Sequence, residues 1–305
     1  MDHTSLSATG YSRAVAHTGS DVFVRLERFY DAVPRDAAVT EDIGDLVLFV
    51  RDGAGWPFYA RPRIGAATPS AADVTAARRR QRELDVPEAF EWVHETSPDL
   101  LAVARSAGLE VHLAPLMVLE TAALVPDLPV AGATIRLLDP AAPGFAADLA
   151  ASRAVAQLGF GTPSNATPME SVDAAGLVVE LAGPRERDAV PAPADDAIAA
   201  ARRRAESGRS VTAVVDSKSD GILATGVLQS AGDVGEVAGV ATLPAARNRG
   251  YASQLTASLA RHGLQNDLDL IFLSAADDDV ARLYSKVGFR RIGTACVAEP
   301  AAAPL

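Results

Sequence analysis

Val240-Ala-Thr-Leu-Pro-Ala-Ala-Arg-Asn-Arg-Gly-Tyr-Ala252 reads as a strand end, a proline-broken turn and the first turn of a helix. Arg247, Gly250 and Ala252 fit the pattern R/Q-x-x-G-x-G/A. The chemistry of such a stretch is anion binding. The first amides of a helix have no partner inside the helix, and the helix dipole is positive at that end. Gly250 has no Cβ, so the backbone can approach a bulky anion closely. Arg247 and Arg249 add positive charge and forked donors suited to phosphate. The segment is therefore a candidate diphosphate cradle.

The flanks support that reading. A β-type run, Val234–Thr242, precedes the turn. A helix follows in which Ala252, Leu255, Leu259 and His262 share one face. Then come a strand over Asp269–Ser274 and a second helix that carries Tyr284 and closes on Gly288-Phe289. In this order of elements, with R-x-x-G-x-A and Y-x-x-x-G-F at these places, the sequence resembles the GCN5-related N-acetyltransferase superfamily. The resemblance implies an α/β (α+β) fold with a mixed, mostly antiparallel sheet flanked by helices. It also implies that residues 240–252 hold acetyl-CoA as co-substrate, with Arg247, Asn248, Arg249, Gly250, Tyr251 and Ala252 around the pyrophosphate.

Composition bounds the rest. The 305 residues are 49% hydrophobic, enough for two domains with proper cores. The formal net charge of −11 disfavours bulk nucleic acid as a partner. Cys296 is the single cysteine, so no intrachain disulfide forms, which suits a reducing compartment. No apolar stretch reaches the ~20 residues of a membrane span. The polar start, Met1–Ser20, lacks the apolar core of a secretory signal. A cytoplasmic protein is the expectation. His94 and His112 lack metal-ligand spacing, and no metal is expected.

The first half repeats the order of the second. Leu46–Val50 and Trp56–Arg61 read as extended chain. A helix over Ala71–Leu84 starts at a Ser70 cap with Asp73 three residues on and presents the basic run Arg78-Arg79-Arg80 to solvent. A strand over Phe90–His94, a helix opened by Ser97-Pro98 and ended by Gly108, and a strand over Leu109–Leu119 follow. This half reads as a degenerate copy of the same fold: Pro62 stands at the arginine position of the loop, and Ala104 at the tyrosine position. The expected organisation is an arm over 1–20, two tandem acetyltransferase-like domains over 21–122 and 133–299 joined by a proline-containing linker over 123–132, and a tail over 300–305. Trp92, His94 and Glu95 end a strand, where ligands gather in open sheets, although a core role for Trp92 is the simpler reading.

In the second half, Ala133–Leu138 is a strand and Phe145–Leu158 a helix. Phe160 and Met169 are candidates for an acceptor wall, a role the resemblance gives to the segment after the first strand. Gly183–Ala194 reads as a loop, and Ala197–Ser207 as a helix exposing Arg202-Arg203-Arg204. Val211–Asp216 and Ile222–Ser230 form a hairpin.

The implied reaction moves an acetyl group from CoA to an amine of a small molecule or peptide by direct attack. The resemblance makes Tyr284 the general acid for the departing thiolate; a core tyrosine with a bonded hydroxyl is the plainer alternative. Glu236 is the candidate general base, since a carboxylate among apolar neighbours has a raised pKa, unless it lies on the solvent face. Backbone amides along Val240, Ala241 and Thr242 are implied to hold the pantetheine arm. Two positions depart from the family pattern: Ala252 stands for the commoner glycine, and Asp277 for an asparagine that contacts CoA. Asp277 is therefore read as a helix-capping charge. Two other functions stay open, a non-catalytic acyl-CoA-binding module and tRNA-dependent aminoacyl transfer.

Overall fold

The computed structural model describes residues 19–53, 55, 57–162 and 181–301. The arm expected over 1–20 lies almost wholly outside them, as do Trp56, Met169 and most of the tail expected over 300–305.

The chain begins with a helix, α1 (Gly19–Arg35), and three strands, β1 (Ala38–Ile43), β2 (Leu46–Arg51) and β3 (Ala60–Pro62). Next come α2 (Ala71–Glu83), β4 (Phe90–Val93), α3 (Leu100–Ser106) and β5 (Leu109–Leu119). The second half opens with β6 (Ala133–Leu137), α4 (Phe145–Phe160), α5 (Pro184–Ala189) and α6 (Asp195–Glu206). It continues with β7 (Ser210–Ser217), β8 (Gly221–Ala231), β9 (Val234–Thr242) and α7 (Tyr251–Gln265). It ends with β10 (Leu270–Ser274), α8 (Asp278–Val287) and β11 (Phe289–Pro300).

Among the described residues the strands join one sheet of 11, in the order β1-β2-β3-β4-β11-β5-β10-β9-β8-β7-β6. The order is symmetric about the β11/β5 pair. β3-α2-β4-α3-β5 on one side matches β9-α7-β10-α8-β11 on the other. The last strand of each half sits against the other half: β5 pairs with both β10 and β11, and β11 with both β4 and β5. Among the described strand pairs only β3–β4 and β9–β10 are parallel. Both faces of the sheet are covered. On one, Leu255 and Leu259 of α7, Val155 of α4 and Val287 of α8 pack with Val214, Leu228 and Val237. Each such burial is worth roughly 1.5–3 kcal/mol. On the other, α1 lays Leu26 and Phe29 over Leu116, Val234 and Phe272, at the seam where the halves meet.

Several local expectations hold and several are corrected. Ser70 and Asp73 form the full capping box of α2. Asp277 caps α8, its Oδ1 accepting from Val280 N at 2.8 Å. The helix expected at Ser97-Pro98 starts two residues later, with Asp99 as cap. The segment 183–194, read as loop, contains α5. The two arginine runs are not merely solvated: Arg80 pairs with Glu41 at 2.7 Å, Arg204 with Asp36 at 3.5 Å, and Arg202 stacks 4.6 Å over the Phe145 ring. The linker is tied down by α7, since Arg261 donates to Val125 O at 2.8 Å and Tyr251 to Ala131 O at 3.1 Å.

Candidate active site

The site is built where β9 and β10 separate. Their parallel pairing covers only Leu270–Phe272 against Val234–Glu236. Beyond it β10 keeps β5 as its partner, and β9 runs on to Thr242 beside β8 alone. The edge of β9 from Val237 to Thr242 that faces β10 therefore has no strand partner among the described residues. A second irregularity shapes this edge. Val227 pairs with Ala238 and Thr225 with Ala241, so Gly239 and Val240 stand opposite Gly226 alone. This is a β-bulge, and Gly239 supplies its left-handed residue at φ +61°. A glycine in the middle of a Val/Ala strand is the signal that could have found it.

The cradle follows β9. Gly250 caps α7 at φ +75°, and a Cβ there would meet nothing within 4 Å. Among the described residues, the amides of Asn248, Arg249, Gly250, Tyr251, Ala252 and Ser253 donate no hydrogen bond; the first α7 amide with an acceptor is that of Gln254, to Gly250 O at 3.2 Å. The residues present thus fit an anionic group at this helix end. The side chains divide the work unevenly. Arg249 is exposed. Arg247 donates from Nη2 to Gly159 O at 2.8 Å and Thr162 O at 2.9 Å, pinning the end of α4 beside the cradle. Tyr251 is buried and its hydroxyl is bound to the linker, so its amide, not its ring, is what it offers the cradle.

The corresponding place in the first half is already filled. Ser70 Oγ accepts from Asp73 N, and the Asp73 carboxylate accepts from Ser70 N at 2.8 Å. A carboxylate sits where an anion would have to bind. Ala104, at the tyrosine position, is buried.

Glu236 and Tyr284 lie on opposite faces of the sheet. Tyr284 belongs to the core under α7 and α8, in edge contact with Phe289 at 6.2 Å. Burial pushes its phenol up to about 12, and the neighbouring Thr256 hydroxyl, which has no partner of ordinary hydrogen-bond geometry, works in the opposite direction. Glu236 follows Val234 on the face covered by α1. It lines a recess of about 180 Å³ with Tyr30, Arg61, Glu91, Trp92 and Ser274. Part of its surface is exposed, but that surface is the recess wall, where protein crowds the carboxylate. Burial, and then the nearby Glu91, push Glu236 up to about 8. Burial raises Glu91 to about 7, opposed by Arg61. Tyr30 is held well above its ordinary range by burial and by Glu236. Glu236 is thus on the recess wall and not on a free solvent face.

Sequence reasoning missed Tyr30, Arg61 and Glu91, which come from the other half of the chain. Trp92 does line the recess, while Glu95 serves the backbone, its Oε2 accepting from Thr294 N at 3.0 Å. Phe160 is 65% exposed at the end of α4. A larger recess of about 440 Å³, between α6 and the β2 end, includes Asp36, Arg51, Arg204 and Arg209 and none of these residues.

Comparison with known proteins identifies the fold. Residues 212–298 match the family model described as FR47-like protein. A GCN5-related N-acetyltransferase from Kribbella flavida superposes with a TM-score of 0.65 at 20% identity, over 92% of this chain and 96% of its own. One from Sphaerobacter thermophilus gives 0.51 at 15% identity, over 84% and 80%. A functionally unknown conserved protein from Staphylococcus epidermidis gives 0.50 at 13%, over 87% and 94%. A search of curated proteins found no match. The fold is therefore that of the GCN5-related N-acetyltransferases, and the resemblance read from the sequence holds for the architecture of the whole described chain. No helix among the described residues is long and apolar enough to cross a membrane.

Proposed function

We propose that the protein is an acetyl-CoA-dependent N-acetyltransferase whose second half, 133–299, carries the chemistry and whose first half, 21–122, shapes the acceptor site. The observation that carries this reading is the parting of β9 and β10 between a general-base candidate and a general-acid candidate on opposite faces. The open edge of β9 leads directly to the unclaimed amides of residues 248–253, which supports a ligand with an extended arm and an anionic end.

Bound acetyl-CoA supplies the activated acyl thioester. The chain's residues do the rest. The cradle amides and the dipole of α7 hold the diphosphate. The open edge of β9 along Val240, Ala241 and Thr242 pairs with the pantetheine arm as an added half-strand, and an amide on that edge donates to the carbonyl oxygen as negative charge develops there. Glu236, ionised, takes the proton that the acceptor amine loses as it forms its new bond to the acyl carbon. Tyr284 keeps its proton at neutral pH and donates it to the sulfur as the carbon–sulfur bond breaks. No metal enters this scheme.

The test of the acid is Tyr284→Phe. Loss of the hydroxyl should lower kcat by about 10²-fold and leave the acetyl-CoA dissociation constant within a factor of about two. Unchanged turnover would return Tyr284 to a purely structural role. The test of the pinning of α4 by Arg247 is Arg247→Ala. Losing its two carbonyl contacts should cost about 1–3 kcal/mol of stability, read by denaturant unfolding; no change would mean the end of α4 does not depend on it.

A further inference from the structure

The recess beside Glu236 has unmatched donors and unmatched acceptors. Arg61 is 1% exposed and Trp92 2%. Arg61 uses Nη2 for Glu27, but its Nε and Nη1 have no hydrogen-bond partner, and neither has the indole Nε1 of Trp92. Glu91 and Glu236 make no hydrogen bond or ion pair among the described residues, although they line the same recess. Arg61 is close enough to Glu91 to influence it and still does not pair with it. Buried groups left in this condition are costly. The pattern is the complement of one molecule that brings an anion and a cation together.

We infer that the acceptor is a small zwitterion, an amino acid in the broad sense, whose carboxylate is taken by the Arg61 and Trp92 side of the recess and whose amine lies at Glu236 and Glu91. The inference rests on the acetyl-transfer reading for the role of Glu236. The volume of about 180 Å³ suits a compact molecule. Four of the polar groups involved come from the first half of the chain or its α1 helix: Tyr30, Arg61, Glu91 and Trp92. That gives this half a defined task, recognition of the acceptor.

The test uses the full chain with CoA present. The proteinogenic amino acids and β-alanine are titrated, each beside its primary amide and its decarboxylated amine, with tryptophan fluorescence as the binding readout and acetyl transfer as a second one. Trp92→Phe identifies the fluorescence signal and removes the indole donor, and discrimination by this variant is read from acetyl transfer. At least one amino acid should bind about 10- to 100-fold more tightly than its amide or amine. Arg61→Gln and Trp92→Phe should each narrow that gap, and Trp92→Phe carries the test alone should Arg61→Gln not fold. Amides or amines that bind as well as the acids would overturn the inference and leave acetyl transfer standing. Failure of every amino acid on a chain that binds acetyl-CoA would overturn it too. Amino-acid discrimination without any acetyl-CoA binding would support the recess and sink the acetyl-transfer reading.

Discussion

Glu236→Gln should lower kcat/KM by about 10²-fold or more and remove the limb of the pH profile that rises through about pH 8. The sign follows from the role. A base must be ionised to accept a proton, so activity increases as Glu236 loses its own. Glutamine keeps the shape and cannot take a proton at any working pH. Stability should move the other way. The folded-state pKa of Glu236 is raised, so its contribution is fully present below the unfolded value near ~4.3 and is lost as pH rises through about 8. Glutamine has no charge to bury. The variant should therefore match the parent at pH 4 and exceed it at pH 9 by about 1–3 kcal/mol, measured by denaturant unfolding at both. A variant that is inactive and less stable at pH 9 would mean that Glu236 is a structural residue.

The second large effect is expected at Gly250. Its φ of +75° is a conformation that a side chain enters at a cost of roughly 1–2 kcal/mol. Gly250→Ala should thus fold with a modest loss of stability, because its Cβ would meet nothing within 4 Å. Gly250→Trp adds a large ring at the helix end whose amides are unclaimed. It should weaken acetyl-CoA binding by about 100-fold or more, a loss of about 2.7 kcal/mol by equilibrium titration. Binding that survives the tryptophan would move the diphosphate away from this helix end. The start of α2 differs. There the helix start carries Ser70 and Asp73, which satisfy each other.

Much of the second half was legible because its signals are local. The run Val234–Thr242 is a strand over those residues, and Leu255 and Leu259 are buried at helical spacing. Asp277 caps α8 as its position suggested. The recess beside Glu236 was not legible, for a physical reason. Tyr30, Arg61 and Glu91 reach Glu236 only because each half lends its last strand to the other, and no spacing along the chain encodes that exchange. β1 escaped notice because an edge strand with Glu41 and Asp42 on it lacks an apolar face. The buried, unmatched nitrogens of Arg61 are likewise a property of packing and invisible in the sequence.

The most direct measurement is a calorimetric titration of the full chain with acetyl-CoA. One site per chain is the expected result, since the α7 start has unclaimed amides and the α2 start holds a carboxylate. Two sites per chain would contradict the reading of the first half as a shaping domain. No binding at millimolar ligand would contradict the account at its centre, leaving the cradle over Arg247–Ala252 without its ligand.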